Sequence, residues 1–531
     1  MPNTMRHEEG NALDDAADFT PMQTSVGSSR VMRNFESFMD RVIGESSGEE
    51  KLRVCWLSGT LFFIVGAYWL LRSIKDPIMS AIDGVEYIPQ AKIASLVVVF
   101  SLVVIYNKLL DTYPIHILFY YMGICYGILF GCISLLLLHP EYGLPNEVAD
   151  PSRLLGWISY VSIESFGSML VQCFWALVNA TVDTAFGKKY FGKLVAGAQI
   201  GAIIGPSLAT QAQTISIAGL YMFGSATMFL MVASMHYYVI RFGTPPDPDD
   251  DEVNDGSNNN SSNSNKAKPI KKSGGIIEGF KLFFQFYYVQ GLFAVSSLYM
   301  VQLTIVDYTL KVLARTRYNE LHPGDPQAAL NSFASFMGMF GILTNSIALV
   351  FSLLGTGMII EKYGLTNSLI AFPVCLGICA IAIYFFPTIW TVLGVMMAMK
   401  AMGYALNNPA KEILYQSTSL AVKSKSKSLI DTFGQRSSKA LGSVFTNAFA
   451  DSVPSLISYG TVVGLGMSGF LVWVAHYMGT TFELLQSRDE KVGEEKAYEG
   501  VMLADTYKER KLDPEDSDTA PIKGDKSDNE I

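Results

Sequence analysis

The hydrophobic residues of this chain fall in long runs that are almost free of charge. The first run covers residues 54–71, and similar runs recur to residue 480. A helix needs roughly 20 apolar residues to cross a bilayer, and a spanning segment must satisfy its backbone hydrogen bonds internally. The pattern therefore predicts an all-α polytopic membrane protein rather than a barrel, whose strands alternate over about ten residues. Twelve spans are predicted, at residues 54–74, 92–110, 114–138, 155–182, 190–213, 217–240, 284–307, 329–356, 365–386, 388–405, 428–450 and 454–479.

The composition supports a membrane protein, because 50% of the 531 residues are hydrophobic and only 16% are charged, against about 25% charged in soluble domains. All six cysteines lie inside predicted spans without a CxxC pair or a nearby His/Cys cluster. We interpret them as apolar packing residues and predict neither a metal site nor a disulfide. No cofactor and no nucleic-acid partner is predicted. The sequence lacks the Walker A, HExxH and GxSxG motifs, which argues against an enzyme.

Polar segments divide the chain. Residues 241–283 have the composition of a disordered linker. The linker separates a first six-helix bundle, residues 54–240, from a second, residues 284–480. Polar tails are predicted at residues 1–53 and 481–531.

The number of spans and the positions of lysine predict the orientation. An even number of spans places both tails and the linker on one face of the membrane, and the short connections on that face carry the most lysine. The positive-inside rule makes this face cytoplasmic. The N-terminal segment resembles neither a signal peptide nor a transit peptide. We therefore expect a plasma-membrane or endomembrane protein rather than one imported with a cleaved transit peptide.

A short sequence echo relates the two halves. ALVN at residues 176–179 leaves the fourth span, and ALNN at residues 405–408 leaves the tenth. Each is followed by an acidic residue, a lysine-containing loop and a helix rich in Gly and Ser. Two six-helix halves with a substrate site between them are typical of major-facilitator-like transporters. A match this short can also arise by chance.

Glu164, Asp307 and Lys400 lie within predicted spans, where each charge costs about 2.5–3.5 kcal/mol, and Lys311 follows one turn after Asp307. Glu164 has no basic residue within one helical turn. Asp307 and Lys311 are four residues apart on one helical face. Lys400 lies in GVMMAMKAMGY. The structural alternatives are a local ion pair for Asp307 and Lys311, and for Lys400 a side chain that extends to the surface.

Charge is also concentrated between the first two spans. Pro77 is predicted to end the first helix, because proline lacks an amide donor and restricts the residue before it. A solvated helix end is one explanation for these charges, but their density is unusual for a plain hairpin. The charged residues are Arg72, Lys75, Asp76, Asp83, Glu86 and Lys92.

A second charged cluster follows the tenth span. For Lys423 and Lys425 the alternative is an ordinary lysine-rich cytoplasmic loop. Asp431, Arg436 and Lys439 continue into a predicted span, where they need partners or a water-filled cavity. Together the two clusters predict a polar path, lined mostly by lysines, that suits a carrier of anions. The second cluster comprises Lys411, Glu412, Lys423, Lys425, Lys427, Asp431, Arg436 and Lys439.

Two blocks of this sequence resemble a known family. RSIKDPIMS…GVEYIPQAK is similar to R-D-T-K-D followed by G-x-E-I-I-P-x-x-K, and NNPAKEILYQSTSLAVKSKSKSLIDTFGQRSSKALGS is similar to D-P-x-K-E-M-x-Y-I-P…K-x-K-x-x-I-D with a glycine-rich helix after it. These are motifs of the TLC-type ATP/ADP translocases of plastids and of intracellular bacteria and parasites. The resemblance covers residues 54–480 and implies a twelve-helix carrier that exchanges adenine nucleotides.

The resemblance also implies site residues. The sequence departs from the family pattern at Asp307, where the family has Glu, at Ser73 and Ile74, where it has Asp-Thr, and at Asn408, where it often has Asp. Matching positions give Lys75, Lys92, Glu164, Asp307 and Lys427 as substrate-binding residues. The supporting residues are Arg72, Asp76, Glu86, Lys311, Lys411, Glu412, Asp431 and Arg436.

The resulting hypothesis is ATP/ADP antiport by alternating access. Lys75 and Lys427, one from each half, would bind the phosphates, and Trp175 or Tyr404 could stack on the base, although packing is their commoner role. Mutual repulsion between lysines would hold the empty site open until a polyphosphate cancels it. One alternative is a proton-coupled nucleotide importer in which Glu164 or Asp307 titrates. Another is a membrane scaffold whose partner binds the linker or the C-terminal tail.

Overall fold

The architecture is described from a computed structural model. The structure describes residues 47–493 except 111, 183, 244–274, 355–359, 361, 420–421, 424–426, 428 and 451. Of the first 55 residues it describes only the beginning of a helix. The predicted N-terminal tail, most of the linker and most of the C-terminal tail lie outside the described residues.

Six long helices precede the linker. They follow one another in antiparallel order, and the short helices Val85–Tyr87 and Ala212–Ile215 lie in the connections. The six are α1 (Gly48–Ile82), α2 (Ile88–Leu110), α3 (Ile115–Leu136), α4 (Leu154–Thr181), α5 (Thr184–Ala209) and α6 (Ile217–Phe242).

Six more helices follow the linker, after a helix at Gly275–Gln285. They are α7 (Tyr299–Leu321), α8 (Pro326–Leu354), α9 (Leu365–Phe385), α10 (Ile389–Met402), α11 (Gln435–Ala448) and α12 (Val453–Ser487).

Three of these helices adjoin wider π-helical turns, which often occur at functional sites. Tyr287–Phe293 and the π-helical Ala294–Leu298 lead into α7, and the π-helical Leu429–Gly434 leads into α11. After α10 the chain continues through the π-helical Gly403–Asn407 and the helix Asn408–Leu414.

The all-α prediction is confirmed. Within the described residues, the one β contact is an isolated bridge between Thr418 and Val492. In the part of the chain that the structure describes, eleven helices are long and apolar enough to cross a membrane. The predicted span 428–450 is not among them. It corresponds to Leu429–Gly434 and α11, which together carry three charged residues, Asp431, Arg436 and Lys439, and are therefore less apolar than the other spans.

The prediction that Pro77 ends the first helix is wrong, because α1 continues through Pro77 to Ile82. A membrane helix tolerates an internal proline where neighbouring helices and hydroxyl side chains satisfy the freed backbone groups. The helix ends at Ile82, and Gly84, two residues later, has a φ of 120° that suits glycine. As a consequence, Lys75 and Asp76 lie inside a buried helix and not at a solvated end.

The two halves meet along paired helices. α5 packs against α8, and α2 packs against α11. Gly338 of α8 lies against the backbone of α5, where an added Cβ would come within 2.8 Å of the Pro206 carbonyl oxygen. Small residues permit such close helix packing in membranes.

Many contacts between the halves lie on the face where α1, α5 and α7 end, which we call the far face. The face on which α6 ends, next to the linker, is the linker face. Near the far face the Ser335 hydroxyl donates to the Thr210 carbonyl at 2.9 Å, and the Gln213 amide donates to Ser332 at 3.2 Å. An apolar cluster there joins the halves through Met79, Ile88, Ala91, Tyr160, Tyr308, Val312 and Leu456.

Candidate functional site

A chamber of about 420 Å³ lies between the two halves. Its walls come from α1, α2 and α4 of the first half and from α7, α10 and α11 of the second. The apolar cluster separates it from the far face. Two carboxylates, Glu164 and Asp307, line its described walls. Seven basic residues line them as well: Arg72, Lys75, Lys92, Lys311, Lys400, Arg436 and Lys439.

Lys75 is the most buried of these basic residues, with a side chain only 2% exposed. Its Nζ lies 3.0 Å from a Glu164 carboxylate oxygen on α4 and 3.5 Å from Asp76 on α1. It also lies 3.6 Å from the ring centre of Tyr160, which is a cation–π contact. Arg72, one turn earlier on α1, shares Glu164 at 3.5 Å. Glu164 therefore has the basic partners that the sequence around it lacks.

The pairing continues into the second half through Lys311. Its Nζ lies 3.0 Å from Asp76 of α1 and 2.7 Å from Asp307 on its own helix. Lys92 of α2 donates to the same Asp307 oxygen at 2.8 Å. Two ion pairs therefore join the halves directly. We call this set the ion-pair chain: Glu164, Lys75, Asp76, Lys311, Asp307 and Lys92.

The i,i+4 pair predicted for Asp307 and Lys311 is present, but it is not isolated. Both residues also pair with the first half, and the Lys311 side chain is only 4% exposed. Buried charges are tolerated when they are paired and hydrogen-bonded. The ion-pair chain contains three lysines and three carboxylates, so its formal charges balance. The expected repulsion between empty-site lysines therefore does not apply to Lys75, Lys92 or Lys311.

Three other basic residues of the chamber are arranged differently. The Arg436 guanidinium donates to the Ser168 hydroxyl of α4 at 2.7 Å. Lys400 lies over the Phe340 ring, with its Nζ 6.0 Å from the ring centre. Within the described part of the chain, the side-chain nitrogens of Lys400 and Lys439 have neither an ion pair nor a hydrogen bond. We call Lys400, Arg436 and Lys439 the cationic triad.

The structure places some predicted site residues outside the chamber lining. Lys427 pairs with Glu412 at 2.6 Å, and both side chains are partly exposed. Lys411 is 8% exposed and, like Glu86, does not line the chamber. The Asp431 side chain lies outside the described part of the structure.

Tyr404 lines the chamber, as its proposed stacking role requires, but Trp175 packs against Phe174 and Phe191. Lys400 and Lys439 line the chamber but were not among the site residues predicted from the sequence. Tyr68 and Trp69 also line it and were not named. A helical spacing signal was available for α1, where Tyr68, Arg72 and Lys75 recur every three or four residues.

Comparisons with known proteins identify the family of this chain. Residues 47–484 match the model of the TLC ATP/ADP transporter family. The chain is 25% identical over 441 residues to ADP,ATP carrier protein 1 of Chlamydia muridarum, covering 72% of this chain and 79% of the carrier. It is 23% identical over 469 residues to ADP,ATP carrier protein 1 of Rickettsia conorii, covering 78% and 89%.

Solved structures support the fold. The nucleoside transporter NupG superposes with a TM-score of 0.52 at 13% identity, covering 82% of this chain and 98% of NupG. A peptide transporter of the POT family, in complex with sulfate, gives 0.53 at 13% identity, covering 81% and 95%. At these identities the likeness establishes a major-facilitator-type fold alone. With the family model matched from residue 47 to residue 484, the chain belongs to the TLC ATP/ADP transporter family.

Proposed function

We propose that this protein exchanges ATP for ADP across a membrane by alternating access, with the nucleotide bound in the chamber between the halves. The main support is the charge of the chamber. Seven basic residues line it against two carboxylates, and Asp76 behind the wall makes three, which leaves an excess of four positive charges. A nucleoside triphosphate brings about four negative charges and a diphosphate about three, since a terminal phosphate carries about 1.5–2 at neutral pH.

The choice of basic residue also suits transport. Five of the seven are lysines. A lysine is a point charge on a flexible stem that can follow a moving phosphate, whereas arginine imposes a rigid bidentate geometry. Lysine therefore permits the site to release its ligand on either side.

Obligatory exchange has a physical cause in this arrangement. The ion-pair chain joins the halves, and the apolar cluster separates the chamber from the far face. A polyphosphate bound in the chamber would place negative charge beside Lys92 and Lys311, weaken their pairs with Asp307 and Asp76, and allow the far face to open. Without nucleotide the ion pairs remain, the far face stays closed, and the empty carrier does not change from one open state to the other. The proposal also keeps both termini on the cytoplasmic side and requires no covalent step.

The test is labelled ADP uptake by proteoliposomes that contain the purified protein. We expect uptake only when the vesicles hold unlabelled ATP or ADP. Uptake into vesicles without internal nucleotide under an imposed pH gradient would instead support the proton-coupled importer. Absence of uptake under both conditions contradicts nucleotide transport. Deleting residues 245–272 should leave exchange intact, whereas a scaffold that acts through this segment would lose its partner.

A further inference from the structure

We propose that the cationic triad, Lys400, Arg436 and Lys439, holds the terminal phosphates of the bound nucleotide and selects for phosphate number. The inference rests on the proposed function. It divides the chamber into a triad that binds phosphate and an ion-pair chain that holds the halves together. Neither the family pattern nor the motif resemblance assigned this role to Lys400 or Lys439.

Among the described residues, no carboxylate is paired with Lys400 or Lys439 of the triad. The charges of Arg72, Lys439 and Lys311 act on Lys400, and those of Arg72 and Arg436 act on Lys439. The carboxylates that oppose them, Asp307 for both and Glu164 for Lys439, are already paired with basic residues of the chamber. Like charges in a confined space repel, and a cation enclosed within a membrane protein normally pairs with an anion. No described carboxylate lies within ion-pair distance of Lys400 or Lys439. An anionic ligand in the chamber is the group that would supply the missing charge.

The lysines of the ion-pair chain differ from those of the triad, because each has a carboxylate partner. Lys75, Lys92 and Lys311 each lie within 3.0 Å of a carboxylate oxygen. A phosphate that binds these lysines must compete with carboxylates already in place. At Lys400 and Lys439 it meets no such competitor. The triad is therefore the part of the chamber where a phosphate chain binds with the least loss of existing contacts.

The triad lies on the second half, next to a contact with the first half. Lys400 lies on α10, and Arg436 and Lys439 lie three residues apart on α11, so all three belong to the second half. Arg436 also reaches the first half through Ser168 of α4. A phosphate held by the triad would thus lie beside the contact between α4 and α11. Binding there would therefore depend on how closely the two halves approach each other.

The triad carries three positive charges, so its preference for a ligand should rise with the number of phosphates. A diphosphate, with about three negative charges, matches it, whereas a monophosphate with about two does not. This predicts that AMP competes poorly with ADP and ATP. It also predicts that the discrimination depends on Lys400 and Lys439.

The experiment measures how AMP, ADP and ATP compete with labelled ADP for exchange in proteoliposomes. In Lys400→Gln and Lys439→Gln, we expect the competition constant for ATP to weaken by about tenfold or more, the equivalent of losing one charge-assisted contact, and that for AMP to change less. The ratio of the AMP constant to the ATP constant should therefore fall. Lys439→Arg, which keeps the charge, should retain most of the discrimination.

Lys362→Gln is the matched control, because Lys362 is an exposed lysine outside the chamber. It should leave all three constants unchanged. Lys400→Met and Lys439→Met keep the apolar stem and replace any glutamine variant that does not fold. Equal weakening of AMP, ADP and ATP, or no weakening, in variants that still exchange would overturn the assignment of the triad. Lack of exchange by the wild-type protein would instead contradict the proposed function.

Discussion

Lys311 of α7 lies 3.0 Å from Asp76 of α1, so a buried ion pair connects the two halves of the protein. Both side chains are less than 5% exposed. Each has a second partner, since Lys311 also pairs with Asp307 and Asp76 also lies 3.5 Å from Lys75. The contact therefore couples the two clusters of charge that the sequence placed far apart.

Asp76→Asn should weaken the closed far face, because it removes the carboxylate that joins the halves. In a double-mutant cycle with Lys311→Gln we expect a coupling energy of about 0.5–3 kcal/mol, since residues in direct contact are not additive. The measurement is unfolding of the purified protein in detergent. Glu147→Gln, an exposed acid in the connection before α4, is the control. A coupling energy near zero would mean that the pair contributes nothing to closure.

The same variant can be tested by accessibility. Ser332→Cys, introduced after the six native cysteines are replaced by alanine, places a thiol at the contact between α8 and the segment after α5. An impermeant maleimide should label it faster in Asp76→Asn than in the parent protein. Equal labelling rates would contradict a role for Asp76 in far-face closure.

Asp307→Asn should reduce nucleotide exchange by at least about thirtyfold, because Lys92 and Lys311 would both lose the carboxylate oxygen they share and truncating one partner of a buried charge pair costs about 2 kcal/mol or more. Asp307→Glu, which restores the residue that the family usually has, should retain exchange in part. Exchange rates in proteoliposomes distinguish the two. Full activity of Asp307→Asn would exclude this residue from the transport site.

Variants of Lys427 and Glu412 distinguish whether Lys427 binds the substrate or only pairs with Glu412. We expect Lys427→Gln to lower exchange by about tenfold or more, since a phosphate that passes the linker face would lose a charge-assisted contact. Glu412→Gln should lower it by less than about threefold, because exposed ion pairs contribute about 0.2–1 kcal/mol. Equal effects of the two variants would show that Lys427 acts only through its partner.

Asp83 should make stability depend on pH. It lies in the connection after α1, is 1% exposed and has no hydrogen-bond partner for either carboxylate oxygen among the described residues. Burial raises the pKa of this carboxyl from 3.8 to about 7, although the nearby Arg153 opposes the rise and Asp150 adds to it. Between about pH 4 and 7 the folded state therefore binds more protons than the unfolded state, and stability falls as pH rises through that window.

Asp83→Asn removes the titrating group while keeping its shape. The thermal midpoint of Asp83→Asn minus that of wild type should therefore be larger at about pH 8 than at about pH 5. At pH 8 the buried wild-type carboxylate is ionised, which destabilises the wild-type protein. Glu147→Gln, an exposed acid in the connection before α4, is the control for general changes in surface charge. A difference that does not vary with pH would contradict this account of Asp83.

Several features of the fold and site could be predicted from particular residues. The apolar runs predicted the helices, because a bilayer leaves few other structures available to an apolar segment. Glu164 and Asp307 were identified because charge within a span is costly, and Lys75 and Lys92 because charge is dense between the first two spans and matches the family motif. The end of α1 was predicted wrongly at Pro77. A proline breaks an isolated helix, but tertiary neighbours allow this one to continue.

The sequence by itself determined the class of protein, the number and type of its elements and the residues that needed partners, because hydropathy and charge are properties of individual residues. Only the tertiary structure decided which partners they have. Glu164 meets Lys75 across 89 residues of sequence, and Lys92 meets Asp307 across 215, by the packing of helices rather than by local spacing. Packing also decided that Lys400 and Lys439 face the chamber without a paired carboxylate among the described residues, since a side chain's electrostatic environment depends on every helix around it.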